Sequence, residues 1–256
     1  MQKINTETKE LVLNLTQWLT RMQTSFIPLE DPRYDSFLTF DPDKKIIYSK
    51  VFSKNVSIQL DIGNATLQFR EDGNPTNHLI EADDRTPAEI EAWILAELLH
   101  RGISRNKFSK KLPYKVANQN IGDSDPYKVK DLISGLIIYA KQLSLGGFAL
   151  KIIASYFKAN DHISLWPDTG LLEIVFYHKN HSNQQKKYCC NFSLGNSRLN
   201  EPHFFLKQIV PEKNPFVPLG KTIALPANKS NLSGKASIKK FLLDKILDEL
   251  NLIIAD

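Results

Sequence analysis

Both cysteines and four of the six histidines fall between His162 and His203. Imidazole and thiolate are the usual ligands of zinc, so this stretch is the first place to look for metal chemistry. The spacing does not support it. Cys189 and Cys190 are adjacent, His178 and His181 lie three apart in an expected hairpin loop, and His162 and His203 stand at strand starts. No C-x-x-C or H-E-x-x-H pattern occurs, so the sequence assigns no metal and no cofactor. A simpler reading packs a cysteine in the core as a small apolar side chain and leaves the loop histidines in solvent.

Strand alternation gives a sharper proposal. If Leu172, Ile174 and Phe176, then Tyr188, Cys190 and Phe192, then Phe204 and Leu206 face a helical layer, the opposite face carries Glu173, Val175, Tyr177, Cys189, Asn191, Ser193, His203 and Phe205. One acid, one imidazole, an amide and hydroxyls among aromatics describe the lining of a small-molecule pocket. Tyr177, Asn191, Ser193 and Phe205, joined by Trp166 and Arg198, are the candidate ligand contacts. The same set equally describes the solvated face of an ordinary antiparallel sheet. Glu173 and His203 would form an acid/base pair if they came within hydrogen-bond reach. Glu201, held extended by Pro202, is a third candidate, aimed either at a ligand or at Arg198 as a loop clamp.

A second constellation is the basic run Arg101, Arg105, Lys107, Lys110, Lys111 and Lys115, interleaved with Phe108 and Tyr114 and free of acidic residues. Single-stranded nucleic-acid binders combine cations and stacking rings in this way, although a solvated connector has the same composition. Familiar phosphate and nucleophile motifs are excluded. The segment Asn231 to Ser237 has Lys229 and Ala236 where a phosphate loop needs glycine and a hydroxyl residue. Neither a Gly-x-Ser-x-Gly elbow nor a dinucleotide fingerprint occurs.

The elements that must position these residues follow from periodicity. Leu11, Leu15, Trp18, Leu19 and Met22 recur at helical spacing behind a cap at Thr6. Pro28, Pro32 and Pro42 then impose a connector with a short extended piece at residues 37–40. Residues 46–52, 56–62, 65–70 and 76–81 read as an antiparallel meander, with Gly63-Asn64 and Asp72-Gly73 at the turns. Thr86-Pro87 starts a helix whose Trp93 face packs on that meander. From Tyr127 to Phe157 the chain is helical and apolar almost all round, with a kink or break at Gly146-Gly147, which predicts a buried central segment. A second meander covers residues 162–206, a proline-rich stretch follows with an edge strand at 222–225, and a last helix carries Ile238, Leu242, Ile246 and Leu250 on one face.

The expected fold is thus α+β: two antiparallel meanders, each flanked by helices, in halves 1–117 and 118–256 that share the order helix, meander, helix and suggest a pseudo-duplication within one compact unit. With 42% hydrophobic residues the chain has material for a packed core without metal or disulfides. Adjacent cysteines and an amino terminus without an uninterrupted apolar core point to a reducing cytoplasm. The apolar window 132–157 is interrupted by Lys141, Gln142 and Lys151, which argues against a membrane span. A net charge of +5 decides nothing about partners.

Leu165-Trp166-Pro167 before an apolar strand, followed by Phe192-Ser193, Gly195, Glu201-Pro202 and Phe204, resembles an uncharacterised bacterial family that shares a Leu-Trp-Pro segment and downstream Phe-Ser-Pro-Gly and Glu-Pro-Tyr-Phe segments. The resemblance extends to the pattern from Ser57 to Asn74 before a helix. It implies a fold and no reaction, because the family is one of unknown function. Where the family tends to carry a His-Phe-Asp element, this chain has Thr169-Gly170-Leu171, and Leu194 replaces the proline after Phe-Ser. Any activity the family draws from that histidine and aspartate would be missing here.

Overall fold

The computed structural model describes residues 4–31, 34–116, 123–179, 185–195 and 199–209, with Asp244 and Asp248. Among them are three α-helices and nine strands, and every mapped strand pair is antiparallel, an α+β fold. Of the expected last helix only Asp244 and Asp248, both helical, are described, and the edge strand expected at 222–225 lies outside the described residues.

The chain divides into two compact units, one of residues 2–144 with 165–170, the other of 145–164 with 171–256. The division falls inside a helix rather than at the 118–126 turn that the sequence marks as a boundary.

In the first unit, α1 (Thr6–Phe26) buries Leu11, Leu15, Trp18, Leu19 and Met22, the stripe its periodicity predicts. Its cap is Asn5, one residue earlier than expected: the Asn5 side chain accepts from Thr8 N at 2.9 Å, which satisfies one orphan amide of the first turn. Strands β1 (Leu38–Asp41), β2 (Ile46–Tyr48), β3 (Val56–Asp61), β4 (Thr66–Glu71) and β5 (Asn74–Glu81) form the meander in the order β5-β4-β3-β2-β1. The short strand β6 (Ser164–Trp166) is the next neighbour of β1.

Helix α2 (Pro87–His100) starts on a capping box: Glu89 N donates to the Thr86 hydroxyl and Thr86 N to the Glu89 carboxylate. That start fixes the helix phase, and Trp93 meets Phe69 of β4 with ring centroids 5.4 Å apart.

Helix α3 (Ile133–Tyr156) begins later than Tyr127 and runs without a break through Gly146-Gly147. Gly146 is there for contact, not for flexibility: a Cβ at this position would run into the Phe192 ring. The helix is not buried all round, as its composition predicts. Leu136, Tyr139, Leu143, Leu150 and Ile153 are buried, but Ile133, Ile137, Leu145 and Tyr156 are exposed. By length and composition, Lys130–Tyr156 would suffice to cross a membrane, yet 61% of its most apolar window is buried in the protein, which a core helix also satisfies.

In the second unit, β7 (Leu171–Lys179), β8 (Gln185–Ser193) and β9 (His203–Ile209) form a three-stranded meander. One face carries Leu172, Ile174, Phe176, Tyr188, Cys190, Phe192 and Leu206, all buried. Phe157, just past α3, stacks on Phe176 at 4.3 Å.

Candidate functional site

Register places the polar residues of the second meander in rows. Glu173 stands opposite Asn191, which stands opposite Phe205; Val175, Cys189 and Lys207 form the next row, and Ser193 and His203 share another. All these side chains lie on one face, as alternation predicts.

The middle of that face is not a solvated surface. Cys189, Asn191, Ser193 and His203 are at most 5% exposed, and Tyr177 at the far end is 53% exposed. Buried polar groups need partners, and these have them. Asn191 Nδ2 donates to Glu173 Oε2 at 2.8 Å, and the Cys189 thiol lies 3.6 Å from Asn191 Oδ1. Gly195 N donates to the Ser193 hydroxyl at 3.1 Å. His203 Nδ1 lies 2.7 Å from the Glu201 carbonyl oxygen, which can only accept, so Nδ1 carries a proton and Nε2 is left facing away from that bond.

Glu173 and His203 do not form a direct acid/base pair: they lie two strands and two residues apart, about 12 Å between Cα atoms at ordinary strand spacing. Each is engaged elsewhere, Glu173 by Asn191 and His203 by a backbone carbonyl. The Glu201 carboxylate is exposed, and what this residue gives the site is its main chain. Gly195, at φ +100°, lets the loop close so tightly that a Cβ would lie 2.8 Å from the Asn200 carbonyl carbon. Arg198 and His181 lie outside the described residues.

The cysteines are not poised as nucleophiles or ligands. Burial first, and then the neighbouring Glu173 charge, push the Cys189 thiol up to about 12. Burial pushes Cys190 up as well.

Trp166, the remaining candidate ligand contact, belongs to the first unit and is 9% exposed. Its carbonyl accepts from Gly170 N at 2.7 Å, closing the turn that follows Pro167. The Pro167 carbonyl accepts from the buried Gln17 amide at 2.8 Å, and the Tyr114 hydroxyl donates to Gln17 Oε1 at 2.6 Å. The Leu-Trp-Pro segment is therefore an anchor for α1.

The basic run is partly neutralised within the chain. Arg101 is paired with Glu97 and Glu71 and stacks on Phe69 at 4.5 Å, and Lys110 bonds Glu91 at 2.9 Å and Asp123 at 3.3 Å. Arg105, Lys107 and Lys111 are exposed.

Close to Arg101 is a group that spacing around the cysteines did not reveal. His78 on β5 and Glu97 and His100 on α2 bring three donor atoms within 4.8 Å of one another. The only sequence signal is Glu97-x-x-His100, an i, i+3 pair on one helix face.

No family model, no curated protein and no solved structure matches the chain.

Proposed function

We propose that the protein binds a small polar molecule on the face of the second meander built by Glu173, Asn191, Ser193, His203, Tyr177 and Phe205. The observation that carries this reading is the half-buried Glu173 carboxylate, oriented by Asn191 and set on one face with a histidine whose Nδ1 proton is committed to the backbone. Fixed acceptors beside aromatic rings suit a ligand that donates hydrogen bonds and carries a flat apolar part. The ring of Phe205, with Lys207 4.9 Å above it, would hold that part.

Catalysis by Glu173, His203 or Glu201 is the second reading. It requires the bound molecule itself to bridge Glu173 and His203, whose Cα atoms lie about 12 Å apart at ordinary strand spacing. The burial of Asn191, Ser193 and His203 favours a binding site in a protected environment over a nucleic-acid surface centred on Arg101 and Lys110, whose charges are already paired.

A thermal-shift screen of small amides, amines and heteroaromatic compounds tests the reading. A hit that stabilises the wild type and weakens at least tenfold with Glu173→Gln supports it. A Glu173→Gln protein that loses stability while every hit binds as before assigns Glu173 to structure alone.

A further inference from the structure

We infer that His78, Glu97 and His100 form a three-ligand site for a divalent transition-metal ion, zinc by its ligand chemistry, with the rest of the coordination shell left to water. This site is separate from the face of the second meander, and the inference does not depend on a ligand there.

The geometry comes from two elements. His78 is on β5, and Glu97 and His100 are separated by one turn at the carboxyl end of α2. Glu97 Oε1 is 3.0 Å from His78 Nδ1 and 3.6 Å from His100 Nδ1. Tetrahedral ligands at the zinc bond lengths of about 2.0–2.1 Å stand about 3.4 Å apart, so both separations already fit to within a few tenths of an ångström. The two imidazoles, with ring centroids 6.1 Å apart, must swing towards each other to complete the set. Their side chains are 58% and 63% exposed, so that movement displaces only solvent.

The carboxylate, by contrast, is rigid. Glu97 has a side-chain exposure of 5%, and its second oxygen is held by Arg101 Nη1 at 2.5 Å. Arg101 Nη1 also donates to the Glu97 carbonyl at 2.9 Å, and Arg101 Nε lies 2.8 Å from Glu71 Oε1. A partner that fixes one carboxylate oxygen and leaves the other facing two imidazoles is the arrangement that outer-shell residues give metal ligands. The Arg101 guanidinium on the far oxygen offers the carboxylate a charge-assisted bond without occupying the oxygen that faces the histidines.

Charge balance favours a dication. Glu97 and Glu71 contribute −2 and Arg101 +1, so the cluster carries −1 with both histidines neutral. Two nitrogens and one oxygen match the borderline softness of zinc and exclude magnesium or calcium, which take oxygen shells. A three-ligand site open to solvent holds an exchangeable water that the metal makes acidic.

Zinc binding to metal-stripped full-length protein, measured by competition with a chromophoric chelator, tests the inference. Wild type is expected to take up one zinc per chain, and His78→Ala and His100→Ala each to weaken binding at least tenfold with an unchanged circular dichroism spectrum. Because both histidines are exposed, neither variant threatens folding, and cobalt should give visible tetrahedral bands in wild type that the His78→Ala/His100→Ala double variant lacks. Equal zinc uptake by wild type and the folded double variant, or none by either, overturns the site and makes the cluster a salt-linked clamp of α2 on β5.

Discussion

Cys189 and Cys190 occupy neighbouring positions on opposite faces of β8, and the protein treats them alike: both are buried and both thiols are held protonated. A thiol alkylates or exchanges through its thiolate, so both should resist a disulfide reagent at pH 8 in the native protein and react fully once unfolded. Rapid labelling of either in the folded state would contradict the burial described. At this scale the faces of residues 172–177 and 188–193 were legible from period-two alternation, and Leu172, Ile174 and Phe176 are indeed inside. What alternation cannot convey is how deep a face is buried, so Asn191, Ser193 and His203 read first as a solvated face and only second as a pocket lining. The set of His78, Glu97 and His100 was invisible for a different reason. It depends on where β5 ends up beside the last turn of α2, a product of sheet register and helix phase that no local spacing encodes.

At the scale of elements, α3 approaches β8 closely at Gly146. The helix passes Phe192 at Gly146, where no side chain larger than hydrogen fits without displacing the ring. Gly146→Ala would normally stabilise a helix interior by up to about 1 kcal/mol. Here overpacking opposes it, and the expected net result is destabilisation by about 1–3 kcal/mol in a denaturant titration. A variant as stable as wild type would mean that the ring moves freely. The pair Gly146-Gly147 therefore reads correctly as a special site and incorrectly as a helix break, because glycine marks both kinks and close approaches and local sequence does not separate them. The basic run shows the same limit: its cations were legible, but of their carboxylate partners only Glu97, four residues before Arg101, is local, whereas Glu71 and Glu91 come from other elements.

At the scale of the whole chain, the α+β class and most element positions followed from hydrophobic period and turn residues, whereas the division into units within α3 did not. The division falls just before Gly146-Gly147, but α3 continues through that pair, so no loop marks it. The entry to α3 is secured by Asp83, whose Oδ1 accepts from Val129 N at 3.1 Å and Lys130 N at 3.0 Å and whose Oδ2 bonds Lys130 Nζ at 2.7 Å. The Lys130 bonds, with help from Val129, hold its pKa below the ordinary 3.8. A depressed carboxylate pKa adds stability that is fully present above the unfolded value and is lost as pH falls through the folded one. Thermal melts should therefore show Asp83→Asn less stable than wild type at neutral pH, with the gap closing as pH drops below 3.8. A gap that stays constant with pH would assign the loss to the backbone bonds alone.

The central claim is that the Glu173–Asn191 face of the second meander is a binding site. Its most direct test is the chemical-shift footprint of a stabilising compound on isotope-labelled protein. Shifts concentrated at Glu173, Tyr177, Asn191, Ser193, His203 and Phe205, absent when the same compound is added to Glu173→Gln, are the predicted result. A footprint elsewhere, or one that Glu173→Gln leaves unchanged, would contradict it.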